Sequence, residues 1–325
     1  MSFLSVIKRV TSKSLISTVL GAFLAADIGL GLSWGLGVAV GGLSLSSSRV
    51  WAEDHVNPAI WKLSDEDSEI WLFGTVHALE KGLDWRTDKI NNAFDASTTF
   101  YMEAPVNEAT PEIMVPMMQK HGINHSGQPF YENLSPEGHA YFMKALKSLG
   151  MPENAVGNFA QMRPWLVAVT LVTIQMQAKG IDPEAGVDKV LWNAAKANGK
   201  ELGYLETLDQ QFSIFGNLNP QEDIEFFEAS MQQLVEDTDM LDQMFGFWKT
   251  GNVEDLAELM NASFGDDDKM KAALLTDRNL NWAYQIHKLM KGSGKTFIAV
   301  GAGHLGGDKS VQHFLNQLGY EVVRQ

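Results

Sequence analysis

The chain has 325 residues, 45% of them hydrophobic, with a formal net charge of −15 and no cysteine. This composition gives a folded chain with ample core rather than a disordered one, and excludes disulfides, thiolate nucleophiles and cysteine-ligated metal centres. So acidic a chain, with no basic stripe interleaved with aromatics, is also a poor partner for nucleic acid.

Charge is unevenly placed. Residues 1–52 carry Lys8, Arg9, Lys13 and Arg49 against Asp27, a net of +3, leaving −18 for the rest. Basic residues precede a long run rich in Leu, Val, Ala and Gly from about Leu15 to Leu45, and Val50-Trp51-Ala52 suits signal-peptidase cleavage after Ala52. The rival reading is an uncleaved anchor, since about 20 apolar residues can span a bilayer. Both place residues 53–325 outside the cytoplasm, periplasmic or secreted, touching the membrane only through that first segment.

Along the body, Ala59–Leu63 and Ile70–Phe73 flank the polar turn Ser64-Asp65-Glu66-Asp67-Ser68, as in a β-hairpin. A helix is expected over Asp88–Asp95 and a strand over Thr98–Met102. The middle, about 107–291, is mostly helical. One helix starts at Ser135-Pro136-Glu137 and stops at Gly150. Others are expected over Pro164–Ala178, Val187–Ala197, Pro220–Phe247, Val253–Ala262 and Met270–Lys291, with a short strand at Lys200–Leu205. The end reads as a strand at Thr296–Val300, a helix at Val311–Leu318 and a last strand at Tyr320–Val323. Strand–helix alternation at both ends predicts an α/β (or α+β) fold. Its central sheet is mixed and largely parallel, with flanking helices and the helical middle packed over it, all in one domain from 53 to 325.

Four strands run into ionisable residues. Trp71–Gly74 leads through Thr75-Val76 to His77, and Ile298–Gly301 leads through Ala302-Gly303 to His304; Thr99–Met102 ends at Glu103 and Gly203–Leu205 at Glu206. In open α/β sheets ligands bind beyond the carboxyl ends of strands, so four parallel strands would gather these residues on one edge. Two imidazoles and two carboxylates suit a divalent cation that activates water, and equally a metal-free acid–base set. Against this stand bland readings: a lone Gly-x-x-His is ordinarily a turn, and a glutamate after a strand is ordinarily a cap or a solvated loop residue. Glu80 reads as an exposed residue or a partner of His77, and His121 and His125 as surface residues. Gly265-Asp266-Asp267-Asp268 reads as a solvated acidic turn rather than a calcium loop, and Arg163-Pro164-Trp165 as a helix start with its aromatic in the core. Arg278, on a long amphipathic helix, reads by itself as a surface salt bridge with Asp277 or another acid. There is neither a His-Glu-x-x-His helix nor a Gly-x-Ser-x-Gly elbow.

These motifs together resemble the TraB/GumN family, which includes the PrgY pheromone-shutdown proteins and the Tiki proteases. The resemblance rests on Leu72-Phe73-Gly74-Thr75-Val76-His77, Met102-Glu103-Ala104, Arg163-Pro164-Trp165, Gly186-Val187-Asp188 and Tyr204-Leu205-Glu206-Thr207 with Gln211. Asp277-Arg278-Asn279, Val300–Gly307 and Leu318–Val323 continue it, so that it spans about 58–325. It implies a metal-dependent peptidase site in which His77 and His304 bind a divalent ion (Mn, Co or Zn), with Glu103 and Glu206 as ligands or acid–base groups. Arg278 is then expected to stabilise an oxyanion, and a peptide or protein is the expected substrate. The pheromone-shutdown relatives leave open peptide or pheromone binding without turnover, and the wider likeness to erythromycin-esterase-like and haem-binding ChaN-like folds leaves open capture of haem or iron.

Overall fold

A computed structural model of the chain describes residues 56–264 and 267–325. The expected leader or anchor at 1–52 lies outside the described residues, as do Gly265 and Asp266 of the acidic turn. Among the described residues no helix is long and apolar enough to cross a membrane.

The hairpin forms as expected: β1 (Ile60–Ser64) pairs antiparallel with β2 (Ser68–Thr75), Ile60 opposite Phe73. Asp65 closes its turn, accepting the backbone N–H of Ser68 at 2.8 Å. After the short β3 (Leu79–Glu80) come α1 (Asp88–Ala96), capped by Thr87, and β4 (Thr99–Met102). The middle then supplies α2 (Pro111–His121), α3 (Pro136–Ser148), α4 (Pro164–Ala178) and the short β5 (Ile181–Asp182). Next are α5 (Val187–Ala197), β6 (Glu201–Tyr204), α6 (Leu208–Gly216), α7 (Pro220–Glu236), α8 (Met240–Thr250) and α9 (Val253–Phe264). The chain ends with α10 (Asp268–Lys271), a π-helical turn (Ala272–Thr276), α11 (Asp277–Leu289), β7 (Gly294–Gly301), α12 (Val311–Gln317) and β8 (Val323–Arg324).

Six strands form one sheet in the order β6-β4-β7-β2-β1-β8. β7 lies parallel to both β2 and β4, and β4 parallel to β6, while β1 and β8 are antiparallel additions at one edge. Thr75 pairs with Gly301 and Met102 with Tyr204, so β2, β4, β6 and β7 all end on the same edge. Both faces are covered, which is why Trp71-Leu72-Phe73 is continuously apolar rather than alternating. Phe73, Phe100, Phe297 and Ala299 face the large core under the helical middle; Leu72, Ile298 and Val300 face Trp282, Ile286 and Leu315 from α11 and α12.

Three expectations are corrected. The helix read over Pro220–Phe247 is two helices, because the backbone leaves helical space at Asp237 (φ −110, ψ 72). Asp237-Thr238-Asp239 is a run of residues whose side chains compete for backbone hydrogen bonds. The helix read over Met270–Lys291 carries the π-helical turn, which shifts the face that every later residue presents. His121, read as a surface residue, is buried, with Nε2 2.8 Å from Asp209 Oδ1. Gly216 makes room for it, since a Cβ there would come within 2.1 Å of His121 Nδ1.

Arg163-Pro164-Trp165 is a helix start with a buried aromatic, as read, and also a clamp. Arg163 Nε and the backbone N–H of Trp165 each donate to Asp223 at 2.7 Å. Arg163 Nη1 and Nη2 reach the carbonyls of Gly216 and Leu218 at 2.6 and 2.9 Å, tying α4 to α6 and α7. Asp223→Ala would strand this guanidinium and uncap α4. Chemical unfolding is expected to show a loss of about 3 kcal/mol, and stability equal to the parent would contradict the clamp.

Candidate functional site

The ionisable residues at the strand ends meet as the parallel edge requires. Beyond β2 the chain is held by α5, where the backbone N–H of Val187 donates to Val76 O at 2.9 Å. Contact is so close that a Cβ on Gly186 would lie 2.3 Å from His77 O. This docking delivers Asp188, in the first turn of α5 where the helix dipole favours a carboxylate, to 3.1 Å between Oδ1 and His77 Nδ1. Beyond β7 a 3-10 turn, Ala302–Leu305, turns His304 fully inward. Its Nδ1 lies 2.5 Å from Asn279 Oδ1, while Asn279 Nδ2 donates to Lys309 O at 2.8 Å. That second bond fixes the amide orientation, so His304 carries its proton on Nδ1 and presents a lone pair at Nε2.

Arg278 occupies the centre. Nε donates to Glu206 Oε1 at 2.9 Å, and Nη2 donates to Glu206 Oε2 at 2.9 Å and to Glu103 Oε2 at 2.6 Å. Nη1 donates to Leu274 O and to His304 Nε2, both at 3.2 Å. All five N–H groups are therefore committed within the protein. Arg278 shares a helix face with buried Leu274 and Trp282, and Leu274 in the π-helical turn supplies it a carbonyl, so the residue is 6% exposed rather than in a surface ion pair. Its guanidinium lies over Trp282, 4.7 Å from the ring centroid, and Trp282 in turn lies 4.3 Å from the His304 ring.

Glu103 and Glu206 differ sharply. Glu206 spends one oxygen on Arg278 and the Trp282 Nε1–H, 3.0 Å away, and the other on Arg278. Glu103 accepts the Gly301 N–H at 2.7 Å on Oε1 and Gln211 Nε2 at 3.1 Å on Oε2; Oε1 is also 3.8 Å from His304 Nε2. Burial alone would raise the pKa of Glu103. The charge of Arg278, with His304, His77 and the Gly301 N–H, outweighs it and draws the pKa down to about 2. Burial, then the nearby Arg278 charge, pushes His304 down to about 3. Burial works against the charge of Arg278, but the two carboxylates hold it firmly protonated. Near neutrality the site holds an ionised Glu103, a neutral His304 and a charged Arg278.

Gly301 is the meeting point. A Cβ there would lie 3.2 Å from Glu103 Oε1, 3.6 Å from His304 Cδ2 and 3.9 Å from His77 Nε2. A divalent cation suits these donors in kind: two imidazole Nε2 atoms, the His304 ring held at Nδ1 by Asn279 and the His77 ring with Asp188 near its Nδ1, and one ionised carboxylate. Among the described residues, however, no three His, Asp or Glu side chains are already closed to coordination spacing. It is Arg278 Nη1 that faces His304 Nε2. Both carboxylates are hydrogen-bonded, but Glu103 Oε1 lies 3.8 Å from His304 Nε2 and beside Gly301, whereas the oxygens of Glu206 face Arg278 and Trp282. Above His77 the site is roofed by α8 and α9, and a cavity of about 20 Å³ lies between Thr75, His77, Gly301, Met244 and Met260.

Every residue singled out as catalytic or metal-binding, His77, Glu103, Glu206, Arg278 and His304, is in this cluster and 7% exposed or less. Glu80 stands aside, 3.5 Å from Lys249 Nζ, and His125 is exposed, Nε2 3.0 Å from Gln119 O. Sequence reasoning gave no role to Asp188, Asn279, Gln211 or Trp282. The first three lie in or beside the resembling motifs, but only tertiary contact shows what each one holds.

A sequence profile of the TraB/PrgY/gumN family matches residues 59–324, and the chain belongs to that family. It is 25% identical over 157 residues to the uncharacterised Escherichia coli protein YbaP; that match covers 48% of this chain and 58% of YbaP. It is 22% identical over 273 residues to an uncharacterised protein of Treponema pallidum, covering 79% and 80% of the two chains. No solved structure matches the chain.

Two outcomes test this electrostatic arrangement. Arg278→Met would strand two buried carboxylates and is expected to cost about 3–5 kcal/mol in chemical unfolding. Adding Glu206→Gln should recover part of that loss, and no recovery would contradict the pairing. The second outcome concerns acid. His304 takes up a proton near 6.5 when unfolded but only at about 3 when folded, so its contribution is whole above 6.5 and lost as pH falls. Glu103, ordinarily near 4.5 and held at about 2, contributes fully above 4.5 and loses its contribution as pH falls towards 2. These two groups should therefore cost stability from about pH 6.5 downward, opposed between about 6 and 3.8 by Asp223, whose carboxyl burial raises to about 6. His304 should keep a neutral, Nδ1-protonated NMR signature from pH 5 to 8, and titration within that range would refute the assignment.

Proposed function

We propose that the chain is an exported, metal-dependent hydrolase that cleaves a peptide or amide bond, with His77, His304 and Glu103 holding the ion. One observation carries this reading. Two histidines from separate strand–Gly–x–x–His segments meet at Gly301 beside one ionised carboxylate, each ring backed at Nδ1 by another side chain's oxygen. Such backing from behind is the usual support of metal-ligating histidines.

A divalent ion (Mn, Co or Zn) held by these donors would supply Lewis acidity and lower the pKa of a bound water towards neutrality. The chain's own residues prepare the place. Asn279 fixes the His304 ring plane, Asp188 lies 3.1 Å from His77 Nδ1, and Gln211 and the Gly301 N–H fix Glu103. Arg278 keeps Glu103 ionised and, with all its donors committed, acts by positioning rather than as a ready oxyanion donor. Glu206 serves as its counter-charge. Hydrolysis adds one water across the C–N bond: the oxygen joins the carbonyl carbon, and the protons end on the new acid and the departing amine. Haem capture finds less support, since both imidazoles lie in a closed core beside a cavity of about 20 Å³.

The test is divalent-ion binding by the purified protein, measured calorimetrically with Mn, Co and Zn. About one ion per chain is expected, lost in His77→Ala/His304→Ala and kept in Glu206→Gln. No binding by the parent, or binding that survives the double substitution, would refute the assignment of these ligands.

A further inference from the structure

The Thr75 hydroxyl is among the buried polar atoms of the site that the contacts above leave without a hydrogen-bond partner. Thr75 is 1% exposed, and no protein group hydrogen-bonds to its Oγ1. It shares a face of β2 with Phe73, because side chains two apart along a strand point the same way, and so lies beneath α8 and α9. There it lines the cavity of about 20 Å³, next to His77.

Packing does not call for a hydroxyl here. The side chains roofing this cavity, Met244, Leu256 and Met260, are apolar and would accept the isosteric valine equally well. Buried hydroxyls are almost always satisfied, by protein or by an ordered water. The cavity is large enough for one water molecule. The Gly301 N–H is already given to Glu103, so the partners such a water needs are the Thr75 hydroxyl and the His77 ring, the two polar side chains among the lining residues. The alternative, a hydroxyl buried for nothing, is one that a single substitution to valine would relieve.

We propose that this cavity is a one-water site and that Thr75 is the positioning residue that holds the hydrolytic water beside His77. The adjective rests on the hydrolase reading above, whereas the water site does not. Thr75 forms no covalent bond in this scheme. It accepts or donates one hydrogen bond and leaves the water's second lone pair facing the His77–Gly301 wall. The site therefore admits a nucleophile of one heavy atom and excludes larger ones.

Three measurements on the purified protein test this, comparing the parent with Thr75→Val and Thr75→Ser. A high-resolution crystal structure should show one ordered water within hydrogen-bond distance of Thr75 Oγ1, missing in Thr75→Val and present in Thr75→Ser. Thermal unfolding of Thr75→Val should occur at or below the parental temperature. With a library of internally quenched peptides as probe, kcat should fall roughly a hundredfold in Thr75→Val at unchanged KM, and Thr75→Ser should restore it. A dry cavity in the parent overturns the proposal. So does a rise in unfolding temperature of about 2–4 °C in Thr75→Val, the signature of an orphaned hydroxyl removed, or parental kcat in that variant. If no form cleaves any peptide while the water is present and lost as described, the one-water site stands and the hydrolase reading is what falls.

Discussion

A guanidinium buried between two carboxylates and a neutral imidazole is the interaction on which this structure depends. Taking Arg278, Glu103 and Glu206 out of water is costly, and their mutual attraction offsets that cost only because every donor is matched. Apolar residues of similar volume would give a core at least as stable, so stability alone does not account for the cluster. What it does provide is a fixed protonation state: a carboxylate that stays ionised and an imidazole that stays neutral across the physiological range. Groups perturbed this strongly by burial and a specific charged partner concentrate at functional sites.

The fold serves this cluster by bringing four strand ends to one edge. His77, Glu103, Glu206 and His304 each follow a strand directly or by a short turn, Arg278 comes from α11, and the two glycine positions that matter most are set by close approach. Gly186 lets α5 come against His77, and Gly301 leaves space between Glu103, His304 and His77. The helical middle contributes less to the chemistry than to enclosure. α8 and α9 roof the site with methionine and leucine, and the Arg163–Asp223 clamp fixes the helices that bear Gln211. Exclusion of water makes each of these electrostatic contacts stronger than it would be in solvent.

The sequence made the edge of the sheet readable because strand-then-glycine patterns are local. His77, Glu103, Glu206 and His304 each follow an apolar run ending where the chain must turn. What was not readable depends on contacts between distant segments. Asp188 matters only because α5 docks on His77, and Asn279 only because α11 crosses behind His304. Arg278 looked like a surface residue because an arginine on an amphipathic helix ordinarily pairs with an acid in solvent; its burial shows only in its contacts with Glu103, Glu206 and His304, which come from distant segments. His121 was misread for the opposite reason. Glycine and asparagine nearby do mark a loop, but its burial comes from Gly216, almost a hundred residues later in the sequence. Asp237-Thr238-Asp239 was a legible break that the surrounding helical periodicity masked.

The central claim is that His77, His304 and Glu103 form one binding place for a cation while Glu206 and Arg278 support it from the side. Anomalous diffraction from crystals grown with Mn or Zn tests it most directly. The account predicts a single strong anomalous peak beside Gly301, within bonding distance of both Nε2 atoms and Glu103, with Arg278 moved off His304 and still paired to Glu206. A peak liganded by Glu206, or ordered ions only at surface carboxylates with the His304–Arg278 contact intact, would contradict it.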